Sequence, residues 1–258
     1  QLLARIEQSA DQLKLGGEAR EITVMFADMR GFTSFTEAHA PTETFGMLNR
    51  LFGALGAEIV TRSGTIDKFI GDSIMAFWNA PVDVAGHARR ACEAALAMRA
   101  TLAALNDDGG LDGIAIGIGL STGEALVGNM GLESRFDYSA IGDPVNVASR
   151  VEGESKLVGF DIVAADATRR AVPDLAWLEA GTVQLKGKAA RLRVHILLGD
   201  AALAQRPDFL ALGAAHADWL AGKGTLARCV ELAPAVDPRL VRFYELAAGR
   251  ADDFASPA

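Results

Sequence analysis

An α/β sandwich, with helices laid over a mixed sheet and an all-helical appendage at the C-terminus, is the architecture this sequence predicts. Three observations point to it. Two long stretches, residues 42–62 and 83–106, carry apolar residues at helical spacing and alternate with short β-rich runs and hairpin signals. Residues 21–27 are apolar but for Glu21 and Thr23, as in a strand covered on both faces. Beyond Gly199 the β-rich runs stop, and Ala, Leu, Trp and Phe recur at helical spacing to the end. With 50% of 258 residues hydrophobic, the chain has enough apolar surface for a substantial core.

The elements follow in order. Residues 1–17 read as a helix or linker that closes on Gly16-Gly17. The strand 21–27 delivers Asp28 at its carboxyl end. Thr42, after Pro41, caps a helix to about Arg62, with Leu48, Leu51, Phe52, Leu55 and Ile59 on one face and Gly64 as the stop. Strands 65–69 and 73–78 form a hairpin through Gly71-Asp72, which places Asp72 at the tip. Asp83 caps the second long helix, ending near Asn106. Residues 114–120 alternate Ile with Ala or Gly, as in a strand lying close against a neighbour, and 124–128 return as its partner. A strand ending at Ile141 meets Gly142-Asp143-Pro144, where Asp143 caps a helix and Pro144 fills its first turn. Strands 161–164, 182–186 and 192–198 complete this part. Helices 207–220, 225–232 and 238–248 follow, separated by Gly222-Lys223-Gly224 and by Pro234. The expected organisation is thus 1–17 as linker, 18–199 as the main domain and 200–258 as helical extension.

Composition narrows the function. A net charge of −8 argues against a nucleic-acid surface, which needs an excess of Lys and Arg. The two cysteines, Cys92 and Cys229, are far apart and read as free thiols of a reducing compartment. No apolar run approaches a membrane span, so a cytoplasmic location is expected. The chain opens without Met and reads as a fragment, with room upstream for a regulatory or membrane region. His39, His87, His195 and His216 match no metal-ligand spacing and read as packing or surface residues.

Asp28 and Asp72 are the candidates for chemistry. Two carboxylates carried on rigid strands suit hard divalent cations, which take oxygen ligands and serve phosphoryl transfer in pairs. Either aspartate alone would more simply be a turn or cap residue. Asn146 and Arg150, four residues apart on the helix after Pro144, share one face.

Four stretches carry a resemblance: FADMRGFT (26–33), DKFIGDSIMAFW (67–78), YSAIGDPVNVASR (138–150) and VQLKGK (183–188). Together, over residues 18–198, they resemble the catalytic domain of bacterial class III adenylyl cyclases. That resemblance implies a ferredoxin-like core and a head-to-tail homodimer with active sites at its interface. It implies two Mg²⁺ or Mn²⁺ ions per site on Asp28 and Asp72, with the Met29 carbonyl as a further ligand. Lys68 would read the adenine ring of ATP, donating to N1, which in guanine carries a proton. Its partner corresponds to Ser139, as in the bacterial subclass with Thr or Ser where many relatives carry Asp. Asn146 would position the ribose and Arg150 would stabilise charge on the α-phosphoryl group. Lys186, preferred over Lys188, and Arg135 would contact the phosphates. The implied product is 3′,5′-cyclic AMP, with pyrophosphate released. A guanylate cyclase and a catalytically silent dimerisation or sensing module remain as alternatives; Lys68 argues against the first and the full set of motifs against the second.

Overall fold

The computed structural model describes residues 16–108, 113–132, 135–184 and 191–254. The helix expected before Gly16 lies outside them. In chain order the elements are β1 (Gly16–Arg30), α1 (Phe32–Ala38), α2 (Pro41–Thr61), β2 (Thr65–Ile70), β3 (Ser73–Trp78), α3 (His87–Asp107), β4 (Ala115–Leu132), β5 (Arg135–Ile141), α4 (Asp143–Val158), β6 (Ile162–Ala165), α5 (Asp166–Ala171), β7 (Ala176–Gln184) and β8 (Arg191–Gly199). The tail adds α6 (Ala201–Ala204), α7 (Pro207–Leu220), α8 (Leu226–Val236), α9 (Leu240–Ala248) and α10 (Ala251–Phe254).

Among the described residues the strands form one sheet in the order β2-β3-β1-β4-β6-β8-β7, with β5 also paired to β4. The β4–β6 pair is parallel and the others antiparallel, so the sheet is mixed and largely antiparallel, as expected. Its first half runs β1-α2-β2-β3-α3-β4 with spatial order 4-1-3-2, the ferredoxin-like arrangement. α2 and α3 cover one face. Leu51, Leu55 and Ile59 from α2 and Ala91, Ala95 and Met98 from α3 meet Met25, Ile74 and Trp78 there, all fully buried or nearly so. Removing one such Leu or Ile side chain from water is worth roughly 1.5–3 kcal/mol.

The structure corrects several local expectations. β4 is continuous where a hairpin was expected. Ser121, Thr122 and Gly123 stay in the ladder opposite Val24, Thr23 and Ile22, and the Thr122 and Thr23 hydroxyls bond at 2.9 Å. Pairing along the whole of β1 overrides a local turn signal. Thr42 does not cap α2: Pro41 is already helical, the cap is Ala40, and its N–H donates to Glu43 Oε2 at 3.1 Å. Asp83 does not cap α3, which starts after Gly86 (φ 66°); its carboxylate pairs instead with Arg20 at 3.0 Å. Gly142 takes the cap position of α4, leaving Asp143 in the first turn. Pro234 lies inside the last turn of α8 rather than separating two helices.

The tail packs against β6, β8 and β7 on the face of the sheet opposite α2 and α3, since alternate residues of these strands join the two clusters. Phe209, Leu212, Phe243 and Tyr244 share one apolar cluster with Val163, Val183, Val194 and Ile196 of β6, β7 and β8. His216 is buried there, shares a 3.1 Å hydrogen bond with the Tyr244 hydroxyl, and is pushed down to about 4 by burial. His195 bonds Asp166 at 2.9 Å and His87 bonds Thr23 at 2.8 Å, packing roles in keeping with the sequence. Cys92 and Cys229 are both buried and unpaired to each other. No helix among the described residues is long and apolar enough to cross a membrane.

Candidate active site

Asp28 lies inside β1 rather than past its end, because pairing with β4 carries the strand on to Arg30. It faces Ser73 of β3 and Gly117 of β4 in the two ladders, and Ser73 Oγ donates to Asp28 Oδ1 at 2.5 Å. Asp72 directly precedes Ser73 in the β2–β3 turn, whose Gly71 sits at φ 61°, a conformation that suits glycine. The β1–β3 register therefore brings the two aspartates to one end of the sheet. Burial raises the Asp72 carboxyl above its usual range and the Asp28 charge adds to that, against the pull of Lys156.

A third acid, unforeseen in the sequence, joins them. Glu152 of α4 is pushed up to about 7, first by burial and then by Asp28, with Asp72 adding and Arg30 and Lys156 opposing. α4 comes this close because β4 has glycine beneath it. A Cβ on Gly119 would lie 2.2 Å from the Ala148 carbonyl, and one on Gly117 would lie 2.6 Å from Glu152 Oε1. A cluster in which burial and the Asp28 charge raise the proton affinity of Asp72 and Glu152 is short of positive charge. Their hard oxygens suit Mg²⁺ or Mn²⁺ completed by oxygens of a phosphorylated ligand. Among the described residues no three ligand-type side chains gather closely enough to hold a metal alone. The Met29 side chain is buried in the core, so only its backbone carbonyl is available for the part expected of it.

Lys68 and Ser139 meet elsewhere, through a residue that sequence reasoning passed over. Ser139 Oγ donates to Asp67 Oδ2 at 2.6 Å, and Lys68 Nζ stands 3.2 Å from Asp67 Oδ1. Ser139 is buried and the Asp67 side chain has no exposure, while the Lys68 side chain is 44% exposed. The β2–β3 ladder shifts register between Ile66 and Lys68, a bulge that re-aims these side chains. The chargeable groups that act on Asp72 and Glu152 include neither Lys68 nor Arg150. On one chain, then, the base-reading candidates and the carboxylates form two separate groups.

α4 serves both. Its inner face buries Val147, Ala148, Val151, Ser155 and Val158. Asn146 is exposed and Arg150 half-exposed one turn later. At 100° per residue, Glu152 and Lys156 project roughly 120° around the helix from Asn146 and Arg150. One side looks to the chain's own carboxylates and the other away from them. Of the remaining candidates, Arg135 opens β5 opposite Leu132, and Lys186 and Lys188 lie outside the described residues. A pattern-based signal for Asp67 was its place beside Lys68 in DKFIGD; for Glu152 and Lys156 there was none, since only the α4–β4 packing brings them to Asp28.

Comparison with known proteins gives a consistent outcome. The family model for the adenylate and guanylate cyclase catalytic domain matches residues 17–199. The chain is 38% identical over 191 residues to Adenylate cyclase 1 of Rhizobium meliloti (strain 1021), a match covering 71% of this chain but 29% of that protein. In three dimensions it is similar to the adenylyl cyclase CyaB from P. aeruginosa (TM-score 0.66, 28% identity, 72% of this chain and 97% of that one). It is also similar to the guanylyl cyclase Cya2 (TM-score 0.65, 34% identity, 72% of this chain and 95% of that one).

Proposed function

Because this chain belongs to the adenylate and guanylate cyclase catalytic domain family, we propose that it is the catalytic part of an adenylate cyclase, converting ATP to 3′,5′-cyclic AMP and pyrophosphate at the interface of a head-to-tail homodimer. The observation that carries this reading is the division of the machinery: a carboxylate pair in one place, and a lysine with a buried hydroxyl in another, on the same chain. Two copies arranged head to tail would bring each half against its complement. Residues 18–199 would form the catalytic unit and 200–258 a helical extension, acting in the cytoplasm.

In this reading Lys68 donates to adenine N1 and Ser139 accepts from the 6-amino group. Asn146 orients the ribose so that its 3′-oxygen lines up with the α-phosphorus. As that oxygen attacks, its proton passes to solvent, the bond from the α-phosphorus to the bridging oxygen breaks, and pyrophosphate leaves. Arg150 answers the charge building on the α-phosphoryl oxygens, while Lys186 and Arg135 hold the outer phosphates. Two Mg²⁺ or Mn²⁺ ions per site, on Asp28, Asp72 and the Met29 carbonyl, would supply Lewis-acid activation of the 3′-hydroxyl and neutralise the triphosphate. No covalent intermediate is required, since positioning and charge stabilisation supply the catalysis.

Turnover of ATP and GTP with each metal, across a dilution series, tests the reading. ATP is expected to be the better substrate and specific activity to fall as the dimer dissociates. Preferred GTP turnover would favour a guanylate cyclase, and no turnover a silent module. Mixing inactive Asp28→Ala and Lys68→Ala chains should restore part of the activity, because one site of each heterodimer is intact. A demonstrated heterodimer without activity would exclude shared sites.

A further inference from the structure

We propose that Asp67 sets the base selectivity of this site, by fixing the Ser139 hydroxyl as an acceptor and holding Lys68 beside it, an assignment that rests on the adenylate cyclase reading and deepens it. A serine hydroxyl has one proton to give and two lone pairs. Left to rotate, it can accept from the 6-amino group of adenine or donate to the 6-oxo group of guanine, so alone it discriminates poorly. Here its proton is committed to Asp67 Oδ2 at 2.6 Å. Only lone pairs then face the base. They suit an amino group and repel a carbonyl.

The second oxygen of the same carboxylate lies 3.2 Å from Lys68 Nζ, which leaves the ammonium with further protons to offer. Asp67 Oδ1 is buried and accepts no hydrogen bond, so the Lys68 ammonium is its ion-pair partner. The arrangement depends on the β2 bulge. In a regular strand residues 67 and 68 would point to opposite faces, and one carboxylate could not serve both partners. A buried carboxylate is costly unless its charge is answered, so its presence here calls for a role. Asp67 would not touch the reacting atoms; it is a positioning residue acting through Ser139 and Lys68.

In Asp67→Asn the amide oxygen faces the Lys68 ammonium and the amide N–H₂ faces Ser139, which turns the hydroxyl proton toward the base. The comparison is kcat/KM for ATP and for GTP in wild type, Asp67→Asn, Ser139→Ala and the double variant, with melting curves to confirm folding. The ATP-to-GTP preference of Asp67→Asn should fall about tenfold or more, mainly through KM. In the Ser139→Ala background the same substitution should leave the ratio unchanged. A folded Asp67→Asn chain that keeps the wild-type ratio, or an equal effect without the Ser139 hydroxyl, would overturn the proposal. If Asp67→Asn does not fold, Asp67→Ser carries the comparison: a lowered ratio supports the role of Asp67 and a wild-type ratio removes it. Wild type that makes no cyclic AMP from ATP would remove the adenylate cyclase reading, and this one with it.

Discussion

Burial, and with it the Asp28 charge, pushes up both Asp72 and Glu152, whereas Asp67, equally an acid in the β2–β3 region, is answered within its own chain by Lys68 and the Ser139 hydroxyl. The first group holds negative charge in excess of its nearby cations, Arg30 and Lys156. The second is compensated before any ligand arrives. The difference separates two ways of preparing a site. In the proposed reading the carboxylates are kept in tension, so that binding cations would release energy, while the Lys68 and Ser139 pair is pre-organised, so that little reordering would remain on binding a purine. Tension and pre-organisation should then respond oppositely to substitution.

The largest effect should come from the strained group. Asp72→Asn keeps the shape and removes a charge: cyclase turnover should fall by about 10³-fold. Metal-free thermal stability should hold or rise, because a repulsion disappears. A melting temperature that drops along with activity would mean that Asp72 supports the fold rather than the chemistry. Next in size, Arg150→Ala should lower kcat by about 10²-fold with a smaller change in KM, since a cation aimed at developing charge acts in the transition state. An effect confined to KM would place Arg150 on the ground-state phosphates instead.

The smallest effect is a pH slope. Glu152 titrates near 7 in the folded chain against an ordinary 4.5, so between these values the folded chain holds a proton that the unfolded chain has lost. Metal-free stability should therefore decline as pH rises through that window. Glu152→Gln should flatten the decline, as read from melting temperatures at pH 5 and pH 7.5 in chelator. An unchanged slope would remove Glu152 from the strained group.

What could be read from the sequence divides along the range of the interactions. The β2–β3 hairpin was legible because Gly71-Asp72 and the flanking β-rich runs are local, and α2 and α3 because their apolar spacing is. The Ile-Gly alternation at 114–120 correctly signalled close packing, and α4 is what packs there. The continuity of β4 was not legible, since Ser121-Thr122-Gly123 is held extended only by β1, which lies about a hundred positions earlier in the chain. The same limit hid most of the new site residues. Glu152 and Lys156 carry no pattern of their own, and reach Asp28 because two β4 glycines admit α4. Asp67 stood next to Lys68 in plain view, but its alternation predicts the opposite face until the bulge is known. Asp28, Asp72, Lys68 and Ser139 were named from motifs, and the structure groups them in pairs. For Lys186 it offers no placement.

The family boundary at residue 199 cuts through a single hydrophobic cluster, with Val194 and Ile196 on one side and Phe209, Phe243 and Tyr244 on the other. On this chain the catalytic fold and its cover are therefore one packing unit: a cut at 199 would uncover Val194 and Ile196, and whatever replaced the tail would have to supply an apolar face of comparable size.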